Sequence, residues 1–274
     1  MRLSPRHPRY ASLRVRERLA AAHRTGLVVP EGMIAHGRGE AFDYFLGERS
    51  TPSARRAERA AAEWLLAARH PVMSVNGNVA ALAAREVARV ARAVPALDVE
   101  VNLFHRTAPR VRLVADALRA AGLTRIRGLR PNATIPHLPS DRAKVDRRGI
   151  GDADVCLIPL EDGDRTEALQ AVGKRVISID LNPLSRTSRA ADLPIVDDVN
   201  RALRAIADAA ARWPTTGPPP RLAPFDRAAA LSDALATIDR NLKRSAARRQ
   251  RARRTVRAGR RPPRGSGGRT RRRP

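Results

Sequence analysis

Apolar positions along the chain follow two periods. A helical spacing predicts a first helix capped by Ser12 and running through an Arg/Glu/Leu/Ala stretch to a stop at Gly26. A second, about Ser53 to Arg69, sets Ala57, Ala60, Ala61, Trp64, Leu65 and Ala68 on one face. Beyond it, short apolar runs alternate with helical ones. Strands are predicted at Pro71 to Val75, Asp98 to Phe104, Ile126 to Leu129, Asp154 to Pro159, Arg175 to Asp180 and Ile195-Val196. Helices fall between them: an alanine-rich one to about Ala93, then Ala108 to Ala121 closed by Gly122, Arg165 to Val172, and Val199 to Ala211. Apolar, β-branched strands alternating with helices predict the α/β class, doubly wound: a mostly parallel sheet covered by helices on both faces and preceded by N-terminal helices.

Four prolines and a glycine within Trp213 to Pro220 end the last of these helices and predict a stiff linker. After it, Leu231, Ala234, Leu235 and Ile238 have helical spacing within Ala228 to Leu242. From about residue 245 the chain is rich in arginine, then in Pro, Gly and Ser, a composition that buries too little apolar surface to order itself. The expected organisation is a core domain at 1–213, a Pro-rich linker and C-terminal helix at 214–244 and a disordered basic tail at 245–274.

The hydrophobic share, 43%, supports a core of ordinary size. Two Trp, two Tyr and four Phe give poor support to nucleic-acid binding by rows of stacking aromatics. Cys156 is the sole cysteine, which excludes a disulfide framework and any multi-cysteine metal site and suits a reducing compartment. The longest stretch without Asp, Glu, Lys or Arg, His70 to Ala84, is shorter than the ~18 apolar residues of a membrane span. Met1 to Arg18 lacks the apolar core of a signal peptide, so a cytoplasmic protein is expected. The net charge of +26 is concentrated: Arg240 to Pro274 holds 16 Lys or Arg and no acid. Fifty arginines stand against three lysines, a ratio that codon preference accounts for. The tail is thus either a solvated extension or a contact for nucleic acid or another anionic surface, since such a run binds polyanions at low salt.

The ends of the predicted strands carry the candidate chemistry. In order they are Asn76-Gly77-Asn78, His105-Arg106, Glu161-Asp162-Gly163-Asp164-Arg165, Leu181-Asn182-Pro183-Leu184-Ser185-Arg186 and Asp197-Asp198. Open α/β sheets bind ligands outside those carboxyl ends. No Walker phosphate loop, dinucleotide fingerprint, H-E-x-x-H or G-x-S-x-G occurs. What remains is an arginine- and acid-rich crevice. Ala35 to Glu40 reads as a glycine-flanked turn in which Arg38 meets an anion. Arg38 and Arg106 are candidate phosphate holders. Glu161, Asp162 and Asp164 suit a magnesium ion shared with phosphates, with Glu161 and Asp164 joining Arg38 as catalytic candidates. Asp180 suits a ribose hydroxyl, and Asn182 a base edge or phosphate. His36 and His105 are either acid/base groups or neutral hydrogen-bonding histidines, and Cys156 is expected to be buried. Arginine and magnesium without a nucleophile motif point to phosphoryl or nucleotidyl chemistry.

Several long strings make the chain resemble a known family. They are His7-Pro8-Arg9-Tyr10, Arg16-Glu17-Arg18, Ile34 to Tyr44, Ser74 to Leu82, Glu100 to Phe104, Pro159 to Leu169 and Ile179 to Thr187. In order and spacing, from about residue 5 to about 210, they resemble the archaeal 4-phosphopantoate--beta-alanine ligases, or phosphopantothenate synthetases. The resemblance implies a homodimeric, Rossmann-like ligase that uses ATP and Mg2+ to join 4-phosphopantoate to beta-alanine, with Asn76, Gly77 and Asn78 as candidate phosphopantoate contacts. The products would be 4'-phosphopantothenate, AMP and diphosphate, formed through an acyl adenylate. It implies ATP-binding roles for Arg16, Arg38, Asp180, Leu181, Asn182, Arg186 and Thr187, with Asp197 and Asp198 in a further aligned segment. Asp198 stands where the family usually has Asn, and His105 where it has Tyr. The linker and tail are expected to have no family counterpart. Two alternatives stand beside this one: an RNA-binding protein driven by its tail, and a related ligase with a different acid and amine.

Overall fold

The computed structural model describes residues 4–259 except Pro5, Pro8, Glu161, Thr215 and Gly217. Three helices come first: α1 (Tyr10–Arg24), α2 (Pro30–Leu46) and α3 (Pro52–Ala67). Gly26 ends α1 as predicted, with a left-handed φ of +79°. Its start lies before Ser12, whose hydroxyl bonds the Arg9 carbonyl instead of capping the helix. Thr51 caps α3, accepting from the Ala54 N–H at 3.1 Å, so the helix starts at Pro52. The predicted turn over Ala35 to Glu40 is instead the middle of α2. Each helical glycine costs about 1 kcal/mol relative to Ala, yet Pro30 starts this helix, Gly47 stops it, and Met33 and Leu46 pack it onto the body.

The α/β portion runs β1 (Pro71–Val75), α4 (Gly77–Ala93), β2 (Asp98–Val101), α5 (Ala108–Ala120) and β3 (Ile126–Arg127). A small hairpin follows, β4 (Ala133–Thr134) with β5 (Lys144–Val145), and then β6 (Val155–Pro159), α6 (Gly163–Ala171), β7 (Arg175–Ile179), α7 (Arg186–Ala190), β8 (Leu193–Ile195), α8 (Val199–Ala211) and α9 (Arg227–Gly259). Six strands form one sheet in the order β3-β2-β1-β6-β7-β8, every neighbouring pair parallel. Successive strand residues feed opposite faces. Met73, Val75, Val155, Leu157, Ile177 and Ile179 join one core with α3, α4, α5 and α8. Val72, Cys156, Ile158 and Val176 join a second with Leu169 of α6 and Ala191 after α7. The expected doubly covered parallel sheet is the observed one, and Cys156 is buried in it, its thiol pushed up to about 12 by burial.

Arg130 to Ala153 carries no predicted element, because it is organised around a side chain and not a period. The buried Glu100 carboxylate accepts from the Asp146 and Ile150 N–H groups at 3.0 and 2.7 Å. A Cβ at Gly149 would fall 2.0 Å from that carboxylate, so glycine is required there. Burial raises the Glu100 carboxyl to about 7. β2 stops at Val101, short of Phe104, where the Asn102 amide turns to the Arg142 and Lys144 carbonyls.

The segment that follows the proline-rich run lies on the body. Leu222 and Phe225 pack on the main core, and the Trp64 indole donates to the Ala223 carbonyl at 2.9 Å. α9 then docks through Ala234 against Leu46 and Val196. It continues as helix through residues 245–259, within the stretch read as disordered; arginine and alanine are strong helix formers. The rest of the tail, 260–274, lies outside the described residues. No described helix is long and apolar enough to cross a membrane.

Candidate active site

The chain builds outward from β1 to β3 and then returns to β6 on the other side of β1, so the strand order reverses between β1 and β6. Crevices at such reversals bind ligands. Asn76 bridges this one: its Oδ1 accepts from the Val79 N–H to cap α4, and its Nδ2 donates to the Leu160 carbonyl at 2.9 Å. Leu160 itself has a left-handed φ of +55°, a strained backbone of the kind found at functional sites. The Asn78 amide donates to the Gly32 carbonyl at 2.8 Å. Both amides read as substrate contacts are therefore engaged in holding α4 to its neighbours. Gly77 has an equally local reason, since a Cβ there would sit 2.3 Å from the Leu27 carbonyl oxygen. Gly77→Ala is expected to destabilise the fold by about 2 kcal/mol through overpacking, read as a lowered denaturant midpoint; an unchanged midpoint would contradict this contact.

Two buried cations stand at this strand reversal. Arg165 of α6 is fully buried and donates to the Ser74 hydroxyl of β1 at 2.9 Å. Arg142, in the short turn before β5, is also buried, with Nε 3.5 Å from the Asp162 carboxylate and its guanidinium 5.9 Å above the Phe104 ring. Burial lowers both guanidiniums, and the Arg165 charge lowers Arg142 further, leaving it pushed down to about 9; Asp162 and Asp164 work in the opposite direction. Asp162 precedes α6 and makes no side-chain cap bond among the described residues, so the first N–H groups of α6 open toward the crevice. Glu161 lies outside the described residues. Arg106 is engaged elsewhere, donating to the Gly128, Leu129 and Val101 carbonyls at 2.5, 3.4 and 3.5 Å. His105 packs edge-on against Phe104, exposed. Arg142 is the crevice cation that sequence reasoning missed, because it sits in a stretch with no periodicity to position it.

A second set of residues gathers at the ends of β7 and β8. The Asp180 carboxylate accepts from the Asn182 N–H at 2.9 Å and from Ser185; burial raises it, while Arg38 of α2 draws it down. α2 thus brings Arg38 to the β7 end although its local structure is not a turn. The Asn182 Oδ1 accepts from the Leu184 N–H, and Ser185 caps α7, which carries Arg186 and the buried Thr187. Arg186 forms a two-pronged pair with Glu167 at 2.9 and 2.5 Å, its stem packed where a Cβ on Gly163 would fall. Arg16 makes a similar pair with Glu40 of α2, at 3.0 Å. Asp197 is buried, accepting from Ser50 at 2.5 Å and from the Arg201 Nε at 2.8 Å. Asp198 caps α8 through the Asn200 and Arg201 N–H groups, a duty Asp and Asn perform equally, so the departure from Asn leaves the helix start intact. His36, Leu181 and Asp198 face one cavity of about 880 Å³, within the range of ligand sites. Burial lowers His36, and its Nε2 is buried with no hydrogen-bond partner among the described residues.

Glu58 of α3 lies beside Asp197, and burial together with that hydrogen-bonded neighbour holds its carboxyl protonated well above the usual glutamate range. A carboxyl raised by folding contributes stability that is complete below its ordinary range and is lost as pH climbs through the raised value. The melting temperature is therefore expected to fall as pH rises from the ordinary glutamate range to about 8, and Glu58→Gln to flatten that fall. Parallel curves for the two proteins would contradict the pairing.

Among the described residues no group of three His, Cys, Asp or Glu side chains is poised for a metal ion. Magnesium, however, takes one or two carboxylates and completes its shell with phosphates and water. Asp162 and Asp164, beside the open first turn of α6, fit that mode.

A family model described as phosphopantothenate/pantothenate synthetase matches residues 53–241. The match crosses the linker and enters α9, so these segments have the family counterpart that the resemblance alone did not lead one to expect. The chain is 56% identical over 201 residues to a 4-phosphopantoate--beta-alanine ligase of Methanospirillum hungatei, covering 73% of this chain and 82% of that one. A ligase of the same description from Methanosarcina mazei is 49% identical over 244 residues, 88% and 96% of the two chains. One from Thermococcus kodakarensis is 53% identical over 197 residues, 72% and 75%. With the parallel sheet, the cationic crevice and the Arg38–Asp180 cluster, these likenesses lead to one conclusion: the chain belongs to the phosphopantothenate/pantothenate synthetase family.

Proposed function

We propose that the chain is an ATP-dependent ligase of coenzyme A biosynthesis that joins (R)-4-phosphopantoate to beta-alanine, giving 4'-phosphopantothenate, AMP and diphosphate. What supports this reading is the gathering of two separate side-chain clusters at one edge of one sheet. The β1/β6 crevice, with Arg142 and Arg165, suits a small phosphorylated acid, and the β7/β8 end, with Arg38, Asp180 and Asn182, suits a nucleotide.

The chemistry follows from that arrangement. Arg142 and Arg165 hold the phosphoryl group of phosphopantoate and turn its carboxylate toward the nucleotide. Asp180 accepts from the ribose, Leu181 and His36 border the base, and Arg38 faces the phosphates. A carboxylate oxygen attacks the ATP α-phosphorus and diphosphate leaves; the beta-alanine amine then attacks the acyl carbon and AMP leaves, its amine proton passing to solvent. Arg38 acts where negative charge grows on the α-phosphoryl oxygens, an electrostatic role that depends on being prepositioned. Asp162 and Asp164 would hold Mg2+, which supplies charge neutralisation of the phosphates when bound. Arg16 and Arg186, each held by a carboxylate, are set to exchange that partner for nucleotide phosphate.

Two further features belong to the same reading. Ile34, Tyr44 and Phe45 leave an apolar face of α2 exposed, which a second copy would cover in a homodimer. The single reduced-state cysteine suits the cytoplasm. The test is to incubate the purified chain with ATP, Mg2+, 4-phosphopantoate and beta-alanine and detect 4'-phosphopantothenate by mass spectrometry, omitting each component in turn. Product that requires all three substrates supports the reading; product with another amine or acid in preference would move it to a related ligase.

A further inference from the structure

α9 takes leave of the body at Asn241, whose side-chain amide donates to the Phe45 carbonyl at 2.9 Å. Before that point it is a packed helix, with Ala230 and Ala234 buried and the Ala230 carbonyl accepting from Ser53. After it, Leu242 to Gln250 is exposed at every position while the helix runs on to Gly259. From Arg240 to Gly259 there are nine basic residues and no acidic one, and the nearest acid, Asp239, pairs with Lys243 at 2.7 Å. At 100° per residue the positions Arg240, Arg244, Arg248, Arg251 and Arg254 fall on one side of the helix. That row is about 21 Å long at the α-helical rise. Arg240/Arg244, Arg244/Arg248, Arg249/Arg253 and Arg253/Arg257 are like charges four apart, each pair opposing the helix that contains it. Here a helix leaves the body, exposed from Leu242 through Gln250 and working against its own charge. A polyanion laid along it removes that repulsion.

The composition of the segment selects the polyanion. Val256 is its only large apolar residue after Leu242, so there is no apolar face to enter a membrane interface. It has no aromatic residue on which unpaired bases could stack. What it offers is a rod with guanidiniums at regular sequence intervals, about 10 to 12 Å across, a width that the B-form major groove admits. Duplex DNA carries one phosphate charge per ~1.7 Å of axis, so the row faces about a dozen phosphates.

We propose that the projecting part of α9 is a docking element for duplex DNA, held through the phosphates and indifferent to base sequence. Since it lies outside the catalytic clefts, it is a function additional to ligation. The test uses the full chain and a fluorescein-labelled 24-base-pair DNA duplex, with anisotropy measured across a series of KCl concentrations. The comparison is a variant carrying Arg244→Gln, Arg248→Gln, Arg251→Gln and Arg254→Gln. The wild type is expected to bind with a steep salt dependence and to gain helical circular dichroism with the duplex. The variant should lose at least about 30-fold in affinity near 150 mM salt, show a log–log salt slope shallower by about 3 to 4, and keep its ligase turnover. Equal affinity of variant and wild type would overturn the proposal by assigning binding to the basic body. Tighter binding of a 24-base-pair RNA duplex or of phosphatidylserine vesicles than of DNA would overturn it as well.

Discussion

Arg142→Met and Arg165→Met are each expected to lower kcat/KM for 4-phosphopantoate by about 100-fold or more while leaving the protein folded. A guanidinium on a phosphate in a dry site contributes about 2 to 4 kcal/mol, and each 1.4 kcal/mol is tenfold in rate. The stability half of the expectation separates function from scaffolding. Two buried guanidiniums, both lowered by burial, are poor contributors to folding, and replacing buried charge by an apolar chain of similar length is often neutral or stabilising. Methionine keeps the stem's packing and removes only the charge and its hydrogen bonds. The measurements are the Michaelis constant for phosphopantoate and the thermal midpoint. A large fall in midpoint with an unchanged Michaelis constant would make these arginines structural and would move the acid substrate out of the β1/β6 crevice.

Arg38→Ala carries the second large effect, on the nucleotide side. Arg38 is exposed on α2, and no packing depends on it, so the thermal midpoint should stay within about 2 °C of the wild type, as for most surface substitutions. Its charge, however, draws down the Asp180 carboxyl at the end of β7 and faces the site proposed for the triphosphate. Turnover is expected to fall about 100-fold or more, with Arg38→Lys recovering part of it, because lysine restores the charge without the planar fork. Full activity in a folded Arg38→Ala protein would remove α2 from the catalytic machinery.

How far these residues are legible without a structure differs between the two clefts. Strand ends are visible because β1, β6 and β7 are short apolar runs bounded by polar residues, and that pattern is enough to bring Asn76, Asp162 and Asp180 to one edge of the sheet. What each side chain does there is decided by distances that no period records. Asn76 and Asn78 turn to backbone carbonyls, and Arg106 likewise, leaving Arg142 and Arg165 at the crevice. Arg142 arrives through a segment wrapped around the Glu100 carboxylate, a tertiary arrangement with no helical or alternating signature. Gly37 and Gly39 mislead in the opposite sense: their local preference is for a turn, and the packing of Met33 and Leu46 overrides it to give α2. The Pro-rich run is a linker by composition, yet the residues just after it, Leu222, Ala223 and Phe225, bind the chain to α3 and the core, and the family match continues through both.

The two-anion account of the sheet edge leads to a single stoichiometric test. With 4-phosphopantoate, beta-alanine, ATP and Mg2+ supplied, the account predicts one AMP and one diphosphate for each 4'-phosphopantothenate, quantified together by mass spectrometry in the same reaction. ADP and inorganic phosphate in that ratio would contradict attack at the α-phosphorus and replace the adenylate with an acyl phosphate. AMP released without 4'-phosphopantothenate, or no turnover from the folded protein, would contradict the joining of these two substrates in this site.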